Sequence, residues 1–322
     1  MTVLVTGAGG MIGSHMMEML QERGISALGT YYKPTIDLNE LDESIRLAEC
    51  DVRYPQSVER IIAEERPDAI FHLAAQSYPT VSWDRPYETM DTNAGGTIAV
   101  CEAVKKIREA DEAYDPVVII ACSSAEYGKT LEDLDGAAVT EDAPLLPLHP
   151  YGVSKVAQDL LGYQYFRNDG IRTIRARIFN TTGTRKVNDV TSDFTLRAIE
   201  QERLGAENPV LRVGNVKTHR AILDCRDLIE ALFLLAEKGT PGEAYNISAT
   251  KAHSIEYLIE SIEDLTGIDF ELEVDHALLR PTDERVILGD VTKLVRDTGW
   301  SPAIAYRDTI AEMLAYWREK LT

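Results

Sequence analysis

A chain of 322 residues with 44% hydrophobic content can bury the core of one large α/β unit or of two packed domains. Its 53 acidic and 33 basic side chains leave a formal charge of -20, which argues against nucleic acid or anionic membrane as a partner; a phosphate ligand would need local arginines and backbone amides. No apolar run reaches the length of a bilayer, and the chain enters "TVLVT" without a signal peptide, a pattern that reads as cytoplasmic.

"TVLVT" is the first predicted strand, and "GAGGMIG" leads from it into a helix beginning near Met11. Gly7 allows a tight turn, Gly10 clears the path of an anion, and Gly13 lets the helix pack closely on the sheet. Together they make a dinucleotide pyrophosphate site at a helix N-terminus. The second strand, "SALGTY", runs into "YKPT", where Lys33 stands and no acid precedes Asp37. An acid there would hold the ribose hydroxyls of NAD, whereas a 2'-phosphate wants cations, so NADP(H) is favoured and NAD(H) stays open. Lys33 reads either as a phosphate contact or as a solvated loop residue. Asp51 and Val52 fall where an adenine amino group would be met, although Asp51 also suits a turn cap.

A helix beginning near Gln56 separates this region from the strand "AIFHLAA", whose His72 reads as a core histidine. Another helix begins near Pro86, followed by the strand "VVIIACSS", which brings Ser123 and Ser124 to a strand end where open α/β sheets hold ligands. The helix starting near Pro150 carries Tyr151 and Lys155 one turn apart. A phenol beside a lysine ammonium can exchange a proton with a sugar oxygen, Lys155 drawing the Tyr151 pKa down. Tyr316 and Lys320 repeat the spacing without a preceding strand and read as a surface pair. After the strand "IRTIRARIFN" the chain turns irregular, with helical patterns returning at 228–237, 255–265 and 307–319. The alternation predicts an α/β fold, a Rossmann doubly wound parallel sheet with a smaller C-terminal α/β substrate lobe. Residues 1–178 form the NAD(P)-binding domain, 223–249 return to it, and 179–222 and 250–322 make the lobe. Cys50, Cys101, Cys122 and Cys225 are too scattered for a zinc site or a disulfide framework, and the histidines show no ligand spacing, so no metal is expected.

Taken in order, "TGAGGMIG", "FHLAAQS", "CSSAEYG", "YGVSK" and "RIFN" resemble the extended short-chain dehydrogenase/reductase family over essentially the whole chain. The resemblance implies NAD(P) held by Gly7, Gly10, Met11, Ile12, Gly13, Leu73, Ala74 and Ala75. It implies a catalytic trio of Ser123, Tyr151 and Lys155, with Lys155 also at the nicotinamide ribose, and a lobe that closes over a nucleotide-diphosphate sugar. Homodimers through helices near 86–108 and 150–168 are implied as well.

Within the family, "AAQSYPTVSWDRP", "RIFNTTGTRKVNDVTSDF" and "LLRPTDERVILGDVTKLVRDTGWSP" are most similar to GDP-mannose 4,6-dehydratases and GDP-4-keto-6-deoxy-D-mannose reductases. Arg185, Arg220 and Arg280 then supply cationic forks for a diphosphate. Asn180 and Asp283 lie near the sugar nucleotide, and Gln76, Ser124 and Glu126 line the substrate side. Ala221 in "HRAIL" departs from the acid usual in the family. A dehydratase also needs a carboxylate two residues after Ser123, where this chain has Ala125. Glu126 is adjacent, but neighbouring strand side chains face opposite ways. The reading is therefore NADPH-dependent reduction of a GDP-bound 4-keto-6-deoxy sugar at C4, with dehydratase and then epimerase as alternatives. A non-catalytic NADP-binding regulator is the rival from another class, and retention of Ser123, Tyr151 and Lys155 speaks against it.

Overall fold

Short runs rich in Val, Ile and Leu form the strands of the first half, and helices with one apolar face separate them, the arrangement that covers both faces of a parallel sheet. The computed structural model describes residues 1–205, 208–276 and 285–322. The large sheet contains β1 (Thr2–Thr6), β2 (Ser26–Tyr31), β3 (Leu47–Glu49), β4 (Ala69–His72), β5 (Val117–Ser123), β6 (Arg172–Ile178) and β7 (Ala244–Ile247). Its order is β7-β6-β5-β4-β1-β2-β3, with every pairing parallel. Because β2 leaves β1 on one side and β4 lies on the other, the strand order switches at β1, where a crevice opens beyond the strand ends.

Strand alternation divides the core in two. Val3, Val5, Phe71, Val117 and Ile119 face one way, against α1 (Met11–Glu22) through Met16, Met17 and Leu20. Leu4, Ile70, Val118 and Ile120 face the other, against Ile61 and Ile62 of α2 (Pro55–Glu65) and Val100 and Val104 of α3 (Gly96–Ala110). Full burial of each such side chain contributes roughly 1.5–3 kcal/mol. The helix expected near Pro86 runs to Met90, widens into a π turn at Asp91–Gly95, and continues as α3. The helix expected near Pro150 is α4 (Pro150–Asp169), started by its proline and ended by Gly170 in the left-handed region.

Beyond β6 lies α5 (Val190–Leu204), which the sequence reading does not anticipate. Its buried face includes Thr191, Ser192 and Thr195 beside Phe194, Ala198 and Ile199, so an apolar period is faint. The next helix, α6 (Cys225–Lys238), packs on the sheet and delivers the chain to β7. A separate cluster joins Phe194 and Ile199 to Leu258 and Ile262 of α7 (Ile255–Thr266). Residues 291–300, allotted above to the lobe, instead place Val291, Leu294 and Trp300 in the sheet-side core, through α8 (Thr292–Thr298). The last helix, α9 (Tyr306–Lys320), returns to the smaller cluster with Ile310 and Leu314. All four cysteines are free and buried. Among the described residues, no helix is long and apolar enough to cross a membrane.

Candidate active site

The crevice begins where β1 gives way to α1. Gly7 has φ +81, and a Cβ there would lie 2.7 Å from the Ala74 nitrogen; a Cβ on Gly13 would lie 2.3 Å from the Gly7 oxygen. Neither position admits a side chain without a shift of backbone. Gly10 differs, since its Cβ would meet no protein atom closer than 3.4 Å and would occupy the space before the helix start. Gly10 caps α1 without a side-chain bond, leaving the amides of Met11 and Ile12 in the first turn, where orphan donors and the helix dipole favour an anion. Thr6 braces the opposite wall: its Oγ1 accepts from the Ala74 amide at 3.2 Å and meets His72 Nδ1 at 2.9 Å. Leu73, Ala74 and Ala75 follow β4 along that wall and are half-buried. These features fit a bound dinucleotide. His72 is fully enclosed with Nε2 unpartnered, and burial pulls its pKa down to about 3, so it is a neutral ring satisfied on one side.

At the end of β2 the structure adds a residue that the sequence reading overlooks. Arg53 forks onto Asp51, with Nε at 3.0 Å and Nη2 at 2.6 Å, and lies 5.6 Å from the Tyr32 ring centroid, while Lys33 sits 5.1 Å from the same centroid. Lys33 and Arg53 thus flank Tyr32 with two cations. The Asp51 carboxylate is engaged by that fork, and Val52 is buried beside Gly96. The signal in the sequence was the Asp-x-Arg spacing, which serves a bidentate pair as readily as a turn.

Ser123, Tyr151 and Lys155 come together where β5 ends against the first turns of α4. Ser123 Oγ accepts from the Ala125 amide at 3.2 Å. Lys155 Nζ donates to the Ala121 carbonyl and to Gln158 Oε1, each at 2.7 Å, and Gln158 is tied in turn to Thr97. The expectation that Lys155 lowers the Tyr151 pKa needs correction. Burial pushes the phenol up to about 12, the Ser123 side chain draws it partly back, and burial pulls Lys155 down to about 8. Lys155 lies 5.8 Å from the Tyr151 ring centroid and burial dominates the shift, so Tyr151 is a neutral phenol at neutral pH.

Glu126 is also corrected. It is 0% exposed, closed off from the crevice rather than lining it. The chain leaves β5 through a 3-10 turn at Ser124–Glu126, and Glu126 Oε1 accepts the Ser123 amide at 2.8 Å in a capping box. Its other oxygen points inward, 3.5 Å from Arg177 Nε. Ser124 is buried in the same turn, and Ala125 is the partly exposed residue.

Several other expected substrate contacts are occupied by the protein itself. The Gln76 amide donates to the Tyr78 carbonyl and to Thr89 Oγ1, shaping the loop rather than projecting from it. Asn93, which the sequence reading passed over, holds the backbone of Gln76 from the π turn and donates to Ser154 at 2.8 Å. Arg185 is no open diphosphate fork: it grips both Glu18 oxygens, at 2.9 and 2.5 Å, and lies 3.5 Å from Glu40. Arg220 donates to the His219 carbonyl on a short strand of the smaller lobe, and the main-chain carbonyl of Asn180 accepts from the Leu223 amide. Arg280 and Asp283 lie outside the described residues.

With this geometry in place, a family model described as GDP-mannose 4,6 dehydratase matches residues 4–313. The chain belongs to that family. It is a nucleotide-sugar-modifying enzyme of the extended short-chain dehydrogenase/reductase group. Among relatives, the GDP-6-deoxy-D-mannose reductase of Pseudomonas aeruginosa is 28% identical over 257 residues, covering 80% of this chain and 82% of that one. The CDP-paratose 2-epimerase of Salmonella typhi is 28% identical over 338 residues, covering 97% and 98%. Of solved structures, a UDP-glucose 4-epimerase from Thermotoga maritima with UDP-glucose superposes at a TM-score of 0.89 and 25% identity over 100% of both chains. The RMD structure from Pseudomonas aeruginosa complexed with NADPH superposes at 0.81 and 26% identity over 99% of both.

Proposed function

We propose that this family member reduces C4 of a nucleotide-diphosphate 4-keto-6-deoxy sugar with NADPH, the sugar being GDP-4-keto-6-deoxy-D-mannose. The carrying observation is the turn after Ser123. Dehydration needs a carboxylate at C5, but Ala125 is the partly exposed residue of the turn and Glu126 is sealed behind it. The state of Tyr151 supports the same direction, because a neutral phenol can give a proton to the oxygen forming at C4, whereas oxidation of a hydroxyl would first require the phenolate.

The nicotinamide supplies the hydride when bound. Gly7, Gly10, Met11, Ile12 and Gly13 receive the pyrophosphate, Leu73 to Ala75 line its path, and Lys155 holds the nicotinamide ribose. Lys33 and Arg53 favour the 2'-phosphate of NADP over NAD. Ser123 orients the carbonyl and Tyr151 protonates it. Arg220, Arg280, Asn180 and Asp283 serve the nucleotide sugar.

GDP-mannose 4,6-dehydration is the second reading, favoured by the matched family model. The deciding assay follows NADPH absorbance and sugar products with GDP-mannose and, separately, with its 4-keto-6-deoxy derivative. NADPH consumption with the keto sugar supports the proposal. A keto product from GDP-mannose without net consumption would replace it with dehydration.

The protein works as a homodimer through the helices near 86–108 and 150–168, where Ile98, Val153, Leu160 and Tyr163 expose apolar surface. Leu160→Glu should convert a dimer to monomer in sedimentation; a wild-type monomer at working concentration would overturn this reading.

A further inference from the structure

The buried charges behind Ser123 have no task in the reaction just proposed. Glu126 reaches them from the 3-10 turn, with Oε2 enclosed and without a hydrogen-bond partner. Cys122 of β5 and Asp159 of α4 place ligand atoms within 4.8 Å of it and of one another. Arg177 of β6 is the nearest cation, but its donors are directed elsewhere. Nε and Nη2 go to Asp159 at 2.9 and 3.3 Å, and Nη1 goes to the Tyr127 hydroxyl and the Glu141 carbonyl. Arg175 adds a third bond to Asp159 at 2.6 Å. Lys155 of α4, the remaining cation near this cluster, spends its bonds on Ala121 and Gln158.

Asp159 is therefore the carboxylate hydrogen-bonded by the two guanidinium groups, while Glu126 Oε2 has Arg177 Nε at 3.5 Å but no hydrogen bond. A cation beside Arg177 and Lys155 would be repelled, so a proton satisfies Glu126 more readily than a metal. We infer that Glu126 is a positioning residue, kept as a neutral carboxyl behind the active site, whose loss of a proton loosens the turn that aims Ser123. The direction agrees with the electrostatics: burial, then Asp159, pushes the Glu126 pKa up to about 8. A negative charge there would have no donor for its inner oxygen and would repel Asp159, and the turn that must yield is the one bonded to the Ser123 amide. The same charge would raise the Tyr151 pKa further.

This inference rests on the proposed reaction only where turnover is measured, and its first test needs no substrate. Glutamate labelled with carbon-13 at the side-chain carboxyl is followed by NMR against pH in wild-type protein and in Glu126→Gln. One resonance should titrate well above the ordinary carboxylate range and be missing from the variant. Titration of every glutamate in the ordinary range overturns the inference, whatever the enzyme's substrate.

The second test is the pH dependence of turnover. Glu126→Gln keeps the shape and the acceptor for Ser123, so it should retain near-wild-type turnover near neutrality. Its alkaline limb should fall with one proton, from Lys155, where the wild type loses two. Glu126→Leu removes the acceptor and should lose about 10–100-fold in kcat with cofactor Kd unchanged, as expected of a misplaced reacting group. An alkaline limb of equal steepness in wild type and Glu126→Gln overturns the inference. Failure of every keto sugar to consume NADPH would reject the proposed reaction instead, with the NMR titration still deciding Glu126.

Discussion

Tyr151 with Lys155 and Tyr316 with Lys320 share one spacing and meet opposite surroundings. Lys155 is buried against β5 and donates to a backbone carbonyl and an amide, and Tyr151 lies beside Ser123 at the end of that strand. Tyr316 meets the oxygens of Glu40 at 3.2 and 3.4 Å, and Lys320 Nζ is 2.8 Å from the same carboxylate. Arg185 approaches Glu40 as well. The second pair thus ties the last helix to the loop after β2, and Glu40 uses up its charge. A step of four residues brings two side chains to one helix face, but the partners on that face decide whether they clamp or catalyse.

The comparison breaks most sharply at the phenols. Tyr151→Phe should lower kcat by about 10²–10⁴-fold while NADPH still binds, whereas Tyr316→Phe should leave turnover intact. Equal activity of Tyr151→Phe and wild type would remove the distinction.

Arg185 tests whether the far pair belongs to a structural network. Arg185→Ala should cost roughly 2 kcal/mol in denaturant unfolding, because Glu18 loses its partly buried partner, with little change in KM for the nucleotide sugar. A large rise in KM at unchanged stability would return Arg185 to the substrate site.

Glu126 sharpens the contrast through pH. Folding raises its pKa from 4.5 to about 8, so its contribution is fully present below the unfolded value and is lost as pH rises toward 8. Across that window the unfolded chain has released the proton that the folded chain keeps. Wild-type stability should therefore fall relative to Glu126→Gln, by at most about 1.4 kcal/mol per pH unit. Parallel unfolding curves for the two proteins from pH 5 to 8 would contradict this.

The smallest effect belongs to Lys320→Ala. Its head lies in solvent, so the Glu40 contact should contribute least of the set and weaken in salt. Thermal unfolding at low and high ionic strength measures it.

Much of the fold was legible because its signals are local. The strand runs, the glycines of the first turn and the prolines opening helices all describe backbone geometry within a few residues. The α5 helix escaped because threonine and serine occupy much of its buried face. Tyr151 and Lys155 could be paired by their strand-helix context. The position of Glu126 could not, since alternation in an extended strand ceases to apply once the chain enters the 3-10 turn at Ser124. Asn93 went unnoticed because a lone polar residue has no period to betray it, and Arg53 because its Asp-x-Arg spacing suits a turn equally well.

Local order along the chain was enough to specify a parallel sheet, a glycine-lined helix start and a tyrosine-lysine step on one helix, since each depends on spacing that the backbone converts directly into direction. Which charges neutralise one another was decided only by tertiary packing. Arg185 meets Glu18 across 167 residues, and Arg177 meets Asp159 where β6 lies against α4. Electrostatic energy follows distance and solvent exclusion in space, so the roles of Glu126, Arg185 and Lys155 took shape when the sheet and its helices enclosed them.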